Sequence, residues 1–133
     1  MPRGMTLALG VAALVIAAWF ALGVRQAIDT DRASVIVGRG GVSVADAAHA
    51  DALLRSAGWL NPDRTVDVLR GRLLLDEGRA GAARAALLKV ALAEPRNAAA
   101  WVAFGSAAAG DRQAFLLALA HVHELVPPVP APR

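Results

Sequence analysis

Between Met5 and Val24 lie twenty residues without a charge, MTLALGVAALVIAAWFALGV, with Arg3 just before them and Arg25 just after. At about 1.5 Å per residue an α-helix of that length runs about 30 Å, the hydrocarbon thickness of a bilayer. A lone segment in lipid must satisfy every backbone N–H and C=O internally, so the run is expected to be a helix. Trp19 and Phe20, near its far end, suit the interfacial aromatic belt. A cleaved secretory signal is the competing reading, because Arg3 supplies a positive start and Ala21-Leu22-Gly23 a small-x-small cleavage site. The stretch is longer than the roughly 7 to 15 apolar residues of a signal, so an uncleaved single-pass anchor over residues 5–24 is preferred. Arg25, Arg32 and Arg39 behind the span place the C-terminal portion in the cytoplasm by the positive-inside rule, while the very short leading tail fits a translocated domain. The side is therefore left open. Ala13, Ala17 and Ala21 form a small-xxx-small face on which two spans can pack, which leaves a homodimer open.

The remainder has room for one small domain. The chain has 133 residues, 56% hydrophobic and only 19% charged, below the roughly 25% usual in soluble domains. Fourteen Lys+Arg face eleven Asp+Glu for a formal charge of +3, an excess spread along the chain. With no cysteine, disulfides, zinc–thiolate sites and thiol catalysis are excluded.

Past Val24 the helical pattern continues through RQAIDTDRASVIVG, and the anchor helix is expected to run on to about residue 36. Gly38, Gly40 and Gly41 then interrupt it, and residues 25–45 read as a juxtamembrane helix with a glycine-rich hinge. No Gly-Lys-Ser/Thr follows and no G-x-G-x-x-G closes, so a phosphate loop is disfavoured. Beyond Ser43, helices are expected at about 44–57, 64–77, 80–93, 98–109 and 111–126, built from Ala, Leu and Arg with Pro and Gly mostly between them. The expected fold class is all-α. Residues 127–133, PPVPAPR, read as an extended proline-rich tail.

Gly71 and Gly105 are 34 residues apart, and Pro62, Pro95 and Pro127 follow at 33 and 32. A period in this range marks stacked helical hairpins. Glycine inside a helix costs about 0.5 to 1 kcal/mol relative to alanine, so two at equivalent positions imply close helix approach, with Trp101 filling the space beside them. Trp101-Val102-Ala103-Phe104-Gly105 resembles the first-helix signature of tetratricopeptide repeats, with Phe where Leu is usual. In the preceding unit Gly71, Leu74, Gly78, Ala83, Leu87, Val90 and Pro95 fall on the same motif. Earlier, Ala50, Leu54, Ala57 and Pro62 fit a second helix alone, its first helix missing or replaced by the juxtamembrane stretch. Asp67 stands where the motif has tryptophan, and the last unit looks about two residues short in its turn. The resemblance covers residues 46–126 and implies about two and a half antiparallel hairpins.

Chemistry is sparse. His121 and His123 are two apart on a helix, about 200° around its axis, which spoils them as a chelating pair, and His49 is isolated. Ser43, Ser56 and Ser106 lack a glycine-framed nucleophile elbow. Asp29, Asp31 and Asp76-Glu77 read as solvated charge. No catalytic, cofactor or metal site is expected, and no enzyme. Arginines interleaved with aspartates without an aromatic-basic stripe do not point to nucleic acid.

Surface recognition remains. In tetratricopeptide proteins the first helix of each hairpin lines a concave groove, and the resemblance implies that Val68, Arg72, Val102 and Ser106 face it. The lysines and asparagines with which some members grip a carboxylate are absent, so the groove is expected to take a helix or an extended peptide. The last helix carries Phe115, Leu119 and Val122 among too many apolar residues for one buried stripe. It is expected to pack on the juxtamembrane helix, a second copy or a membrane partner. The reading is a membrane-anchored adaptor that binds a membrane-associated protein. Its rivals are a secreted helical protein released by signal cleavage and an accessory subunit of a membrane-bound enzyme complex.

Overall fold

In the computed structural model, which describes residues 3–59 and 64–126, every regular element is a helix: α1 (Arg3–Gly38), α2 (Val44–Ala57), α3 (Thr65–Asp76), α4 (Ala80–Ala93), α5 (Ala98–Ala107) and α6 (Arg112–Leu125). No strand occurs among the described residues. The expected all-α class holds, and two helices, α2 and α4, have the bounds read from the sequence. The call on residues 127–133, and Pro62 with its neighbours at 60–63, lie outside the described residues.

Local hydrogen bonding explains where the helices start and stop. Ser43 Oγ accepts from the Asp46 backbone N–H at 3.1 Å while donating to Asp46 Oδ2 at 2.7 Å, which caps α2. Asn97 and Asp111 cap α5 and α6, each accepting from the backbone three residues on at 3.1 Å. Helix α3 ends on Gly78 at φ +75°, where Arg79 N–H donates to Leu74 O and Gly78 N–H to Leu75 O, a Schellman closure that frees the chain to reverse into α4.

The helices pack as consecutive pairs, α1 with α2, α3 with α4 and α5 with α6, and each pair leans on the next through α2–α3 and α4–α5. The first members also touch in series, α1 on α3 and α3 on α5. Helix α1 is unbroken from its apolar run into the packed region, where Gln26, Asp29, Ala33 and Val37 form its buried stripe at spacings of three, four and four. The second half of α1 is thus the partner of α2, the role the sequence left either vacant or taken by this stretch. The glycines read as a hinge lie at the turn between α1 and α2. Gly40 and Gly41 take φ of +65° and +62° and turn the chain so that α2 folds back along α1.

Two apolar clusters share α3. Val66, Leu69 and Leu73 pack with Ala33, Val37, Ala50 and Leu54, whereas Val68 joins Leu87, Val90, Trp101 and Phe104. The paired glycines stand at close contacts between helices. A Cβ on Gly71 would overlap the isopropyl group of Leu87, and one on Gly105 would sit 3.2 Å from the Ala118 Cβ. Helices α4 and α6 begin 32 residues apart where the glycines are 34 apart, so the last pair is about two residues shorter, as the sequence indicated.

Leu9–Gly38 is long and apolar enough to cross a membrane, with a mean hydropathy of 1.9 over its most apolar window, none of which is buried. A signal sequence near an N-terminus meets the same description. Leu14, Trp19 and Phe20 are all more than half exposed, and among the described residues nothing buries them.

Candidate functional site

Trp101 organises the surface that matters. It is 1% exposed on α5, and its indole Nε1–H donates to the Pro95 carbonyl at 3.0 Å, fixing the ring against the turn before the helix. Phe104 meets it edge-on, with centroids 6.0 Å apart and planes at 76°. On the other side the His121 ring of α6 stacks on it, while His121 Nδ1 lies 3.1 Å from the Leu117 carbonyl. Arg84 of α4 pairs at 3.0 Å with Asp111, which also caps α6, so the start of α6 is tied to the pair before.

Around that tryptophan opens an apolar groove of about 280 Å³ between α5 and α6, lined by Trp101, Val102, Gly105, Ser106, Ala109, Phe115, Ala118, Leu119 and Val122. The absence of a Cβ at Gly105 and the small Ala118 let the two helices approach, and the larger side chains on either side form its walls. A second cavity of about 260 Å³ lies where α1, α3 and α5 meet, bounded by Val37, Arg72, Leu75, Asp76, Ala99, Val102, Ala103 and Ser106. Val102 and Ser106 belong to both and form the ridge between them. The Ser106 hydroxyl donates to the Val102 carbonyl at 3.1 Å.

Of the seven residues expected to meet a partner, five gather in the α5–α6 groove: Val102, Ser106, Phe115, Leu119 and Val122. Arg72 lines the adjoining cavity. Val68 departs from expectation. It is 7% exposed and packed with Leu87 and Trp101, because α3 presents it to α4 and α5, while Arg72, one helical turn on, stays exposed. Helix α6 also departs. It packs along α5 and makes no contact with α1, so of the covers expected for it the juxtamembrane helix is not used, and Phe115, Leu116, Leu117 and Leu119 remain 44 to 52% exposed.

A further opening was not anticipated. A cleft of about 710 Å³ runs between α2 and α3 and reaches the α3–α4 turn, with Val42, Val44, Ala47 and Leu73 as its apolar floor and Asp51, Arg70, Asp76, Glu77 and Arg79 at its edges. It exists because α2 makes no contact with α4. The hint in the sequence was Val44, an apolar residue directly after the Ser43 cap, and it is 89% exposed. Asp76 Oδ2 is buried beside this cleft without a hydrogen-bond partner.

His49 is exposed and borders a shallow depression with Asp31, Arg32 and Arg39, and His123 is exposed on α6. Among the described residues no three His, Asp or Glu side chains converge to hold a metal ion. What the α5–α6 groove offers is apolar area with a rigid aromatic floor, suited to taking up side chains of another helix or strand. No protein-family model, curated protein or solved structure matches the chain.

Proposed function

We propose that this protein is a single-pass membrane adaptor: α1 crosses the bilayer and a short tetratricopeptide-like stack of helical pairs holds a partner protein beside it. The observation that carries this reading is the apolar groove over Trp101, in which Val102, Phe115, Leu119 and Val122 lie together on a face that no other described helix covers. Isolated exposed apolar residues are ordinary on any surface, but a contiguous groove over a fixed aromatic floor is the usual form of a protein-binding patch. The continuity of α1 adds to it. A span that runs without a break into the first packed pair transmits its position to the groove and keeps the captured partner near the lipid.

A photo-crosslinking residue at Leu119, used in native membranes, tests the reading. The expected result is a discrete protein adduct that is lost when Phe115→Asp is added and that a probe at His49 does not give. Equal adducts from both positions, or none from Leu119, would remove the groove from the proposal. Release of the full chain into the soluble fraction by an alkaline wash would remove the anchor and favour a secreted protein.

A further inference from the structure

We propose that Trp59 is a second foot on the membrane, seating the turn after α2 in the lipid–water interface. The inference rests on reading α1 as the membrane span.

Gln26 follows the last apolar residue of the span by two positions, about 3 Å along a helix. The headgroup layer on each face of a bilayer is about 5 to 8 Å deep, so Gln26 lies inside it. The Gln26 side chain is buried, and its Nε2 donates to the backbone carbonyl of Trp59. That bond sets the turn after α2 at the height of Gln26, and it is set firmly, because Ala33 and Val37 of the same helix are packed against α2. The Trp59 indole is nevertheless 65% exposed. A large aromatic held by its own backbone at headgroup level, with its ring left free, is placed as interfacial tryptophans are: apolar body toward the acyl boundary, N–H in the wet layer.

The occupant is the lipid surface, and its charge matters little. The arginines nearest in sequence are already paired, Arg55 with Asp51 at 3.2 Å and Arg64 with Asp67 at 3.1 Å, so the contact is made by the ring rather than by attraction to anionic lipid. A helix through the bilayer can still rotate and tilt. A tryptophan at a second point beside it removes much of that freedom and fixes which face of the helical stack looks along the membrane.

The test uses the full chain in neutral phosphatidylcholine vesicles, some made with lipid brominated on shallow and some on deep acyl carbons. Trp59 emission is the difference between Trp19→Phe and Trp19→Phe/Trp59→Phe, in which the contribution of Trp101 cancels; Trp19 emission is the difference between wild type and Trp19→Phe. The expected result is quenching of Trp59, stronger with shallow bromine, and little change when anionic lipid is added. If Trp19 is quenched and Trp59 responds only to aqueous iodide, the interfacial seat is wrong and the span stands. If neither is quenched by brominated lipid, the span is wrong and the seat falls with it.

Discussion

The imidazole of His121 lies almost flat on the indole of Trp101, with ring centroids 3.9 Å apart and planes 25° from parallel. This contact joins α5 to α6 in the pair whose outer face forms the apolar groove, and it is made by one of the two histidines that, two residues apart, could not act together on a metal. His123 points elsewhere and is exposed. Removing either ring tests how much the groove depends on its floor. Trp101→Ala should destabilise the helical region by about 3 to 5 kcal/mol, as expected for a fully buried large aromatic. His121→Ala should cost only about 0.5 to 1.5 kcal/mol, the stacking contribution. Denaturant titration followed by circular dichroism measures both; equal effects would mean that the tryptophan is not the centre of the packing.

The glycines separate by what surrounds them. Gly71→Ala gains about 0.5 to 1 kcal/mol of helix propensity but must push Leu87 aside, an overpacking cost of about 1 to 3 kcal/mol, so the net effect is destabilising. Gly105→Ala meets only the Ala118 methyl, at 3.2 Å, and the two terms nearly cancel. Gly81 is helical with nothing near its missing Cβ, and Gly81→Ala should stabilise by about 0.5 to 1 kcal/mol. The order of melting temperatures among the three variants checks the assignment.

Gly40 and Gly41 distinguish a turn from a hinge. Both have positive φ, so Gly40→Ala and Gly41→Ala should each destabilise, by about 1 to 2 kcal/mol, because a Cβ disfavours the left-handed region. In a flexible linker the same changes would be neutral or mildly stabilising through the unfolded chain. Thermal melts of the two variants decide between them.

Asp111 has two roles that substitution can divide. Asp111→Ala removes both the cap on Ala114 N–H and the pair with Arg84, and should cost about 1 to 2 kcal/mol. Asp111→Asn keeps the cap. Since both side chains of the pair are about 40% exposed, its loss should cost well under about 1 kcal/mol. A full loss in the Asn variant, measured by denaturation, would show the ion pair to be the larger contribution.

Leu119→Arg tests the groove without touching the core. Leu119 is 52% exposed and lies outside the apolar core cluster, so the stability of the variant should stay within about 0.5 kcal/mol of wild type. Capture of a partner at the groove should be lost. Unfolding of this variant would show that Leu119 supports the fold itself.

Most of the helical plan was legible in the residue order, for reasons that are local. Helix boundaries follow hydrogen bonds between residues three and four apart, so Ser43, Asn97 and Asp111 before alanine-containing runs, and Gly78 after a leucine-rich one, mark ends that no distant contact has to decide. The 34-residue spacing of Gly71 and Gly105 likewise announced two close helix crossings, and both occur. The partner of each helix face was a different matter. The buried stripe of α1 includes Gln26 and Asp29, so apolar periodicity conceals it, and only the fold-back of α2 reveals that this stretch completes the first pair. Val68 was assigned outward and lies inward, and the α2–α3 cleft left only Val44 as its hint, for the same reason. A helix forms from contacts along its own chain, but which of its sides is dry depends on segments tens of residues away, and those meet only when the whole chain has packed.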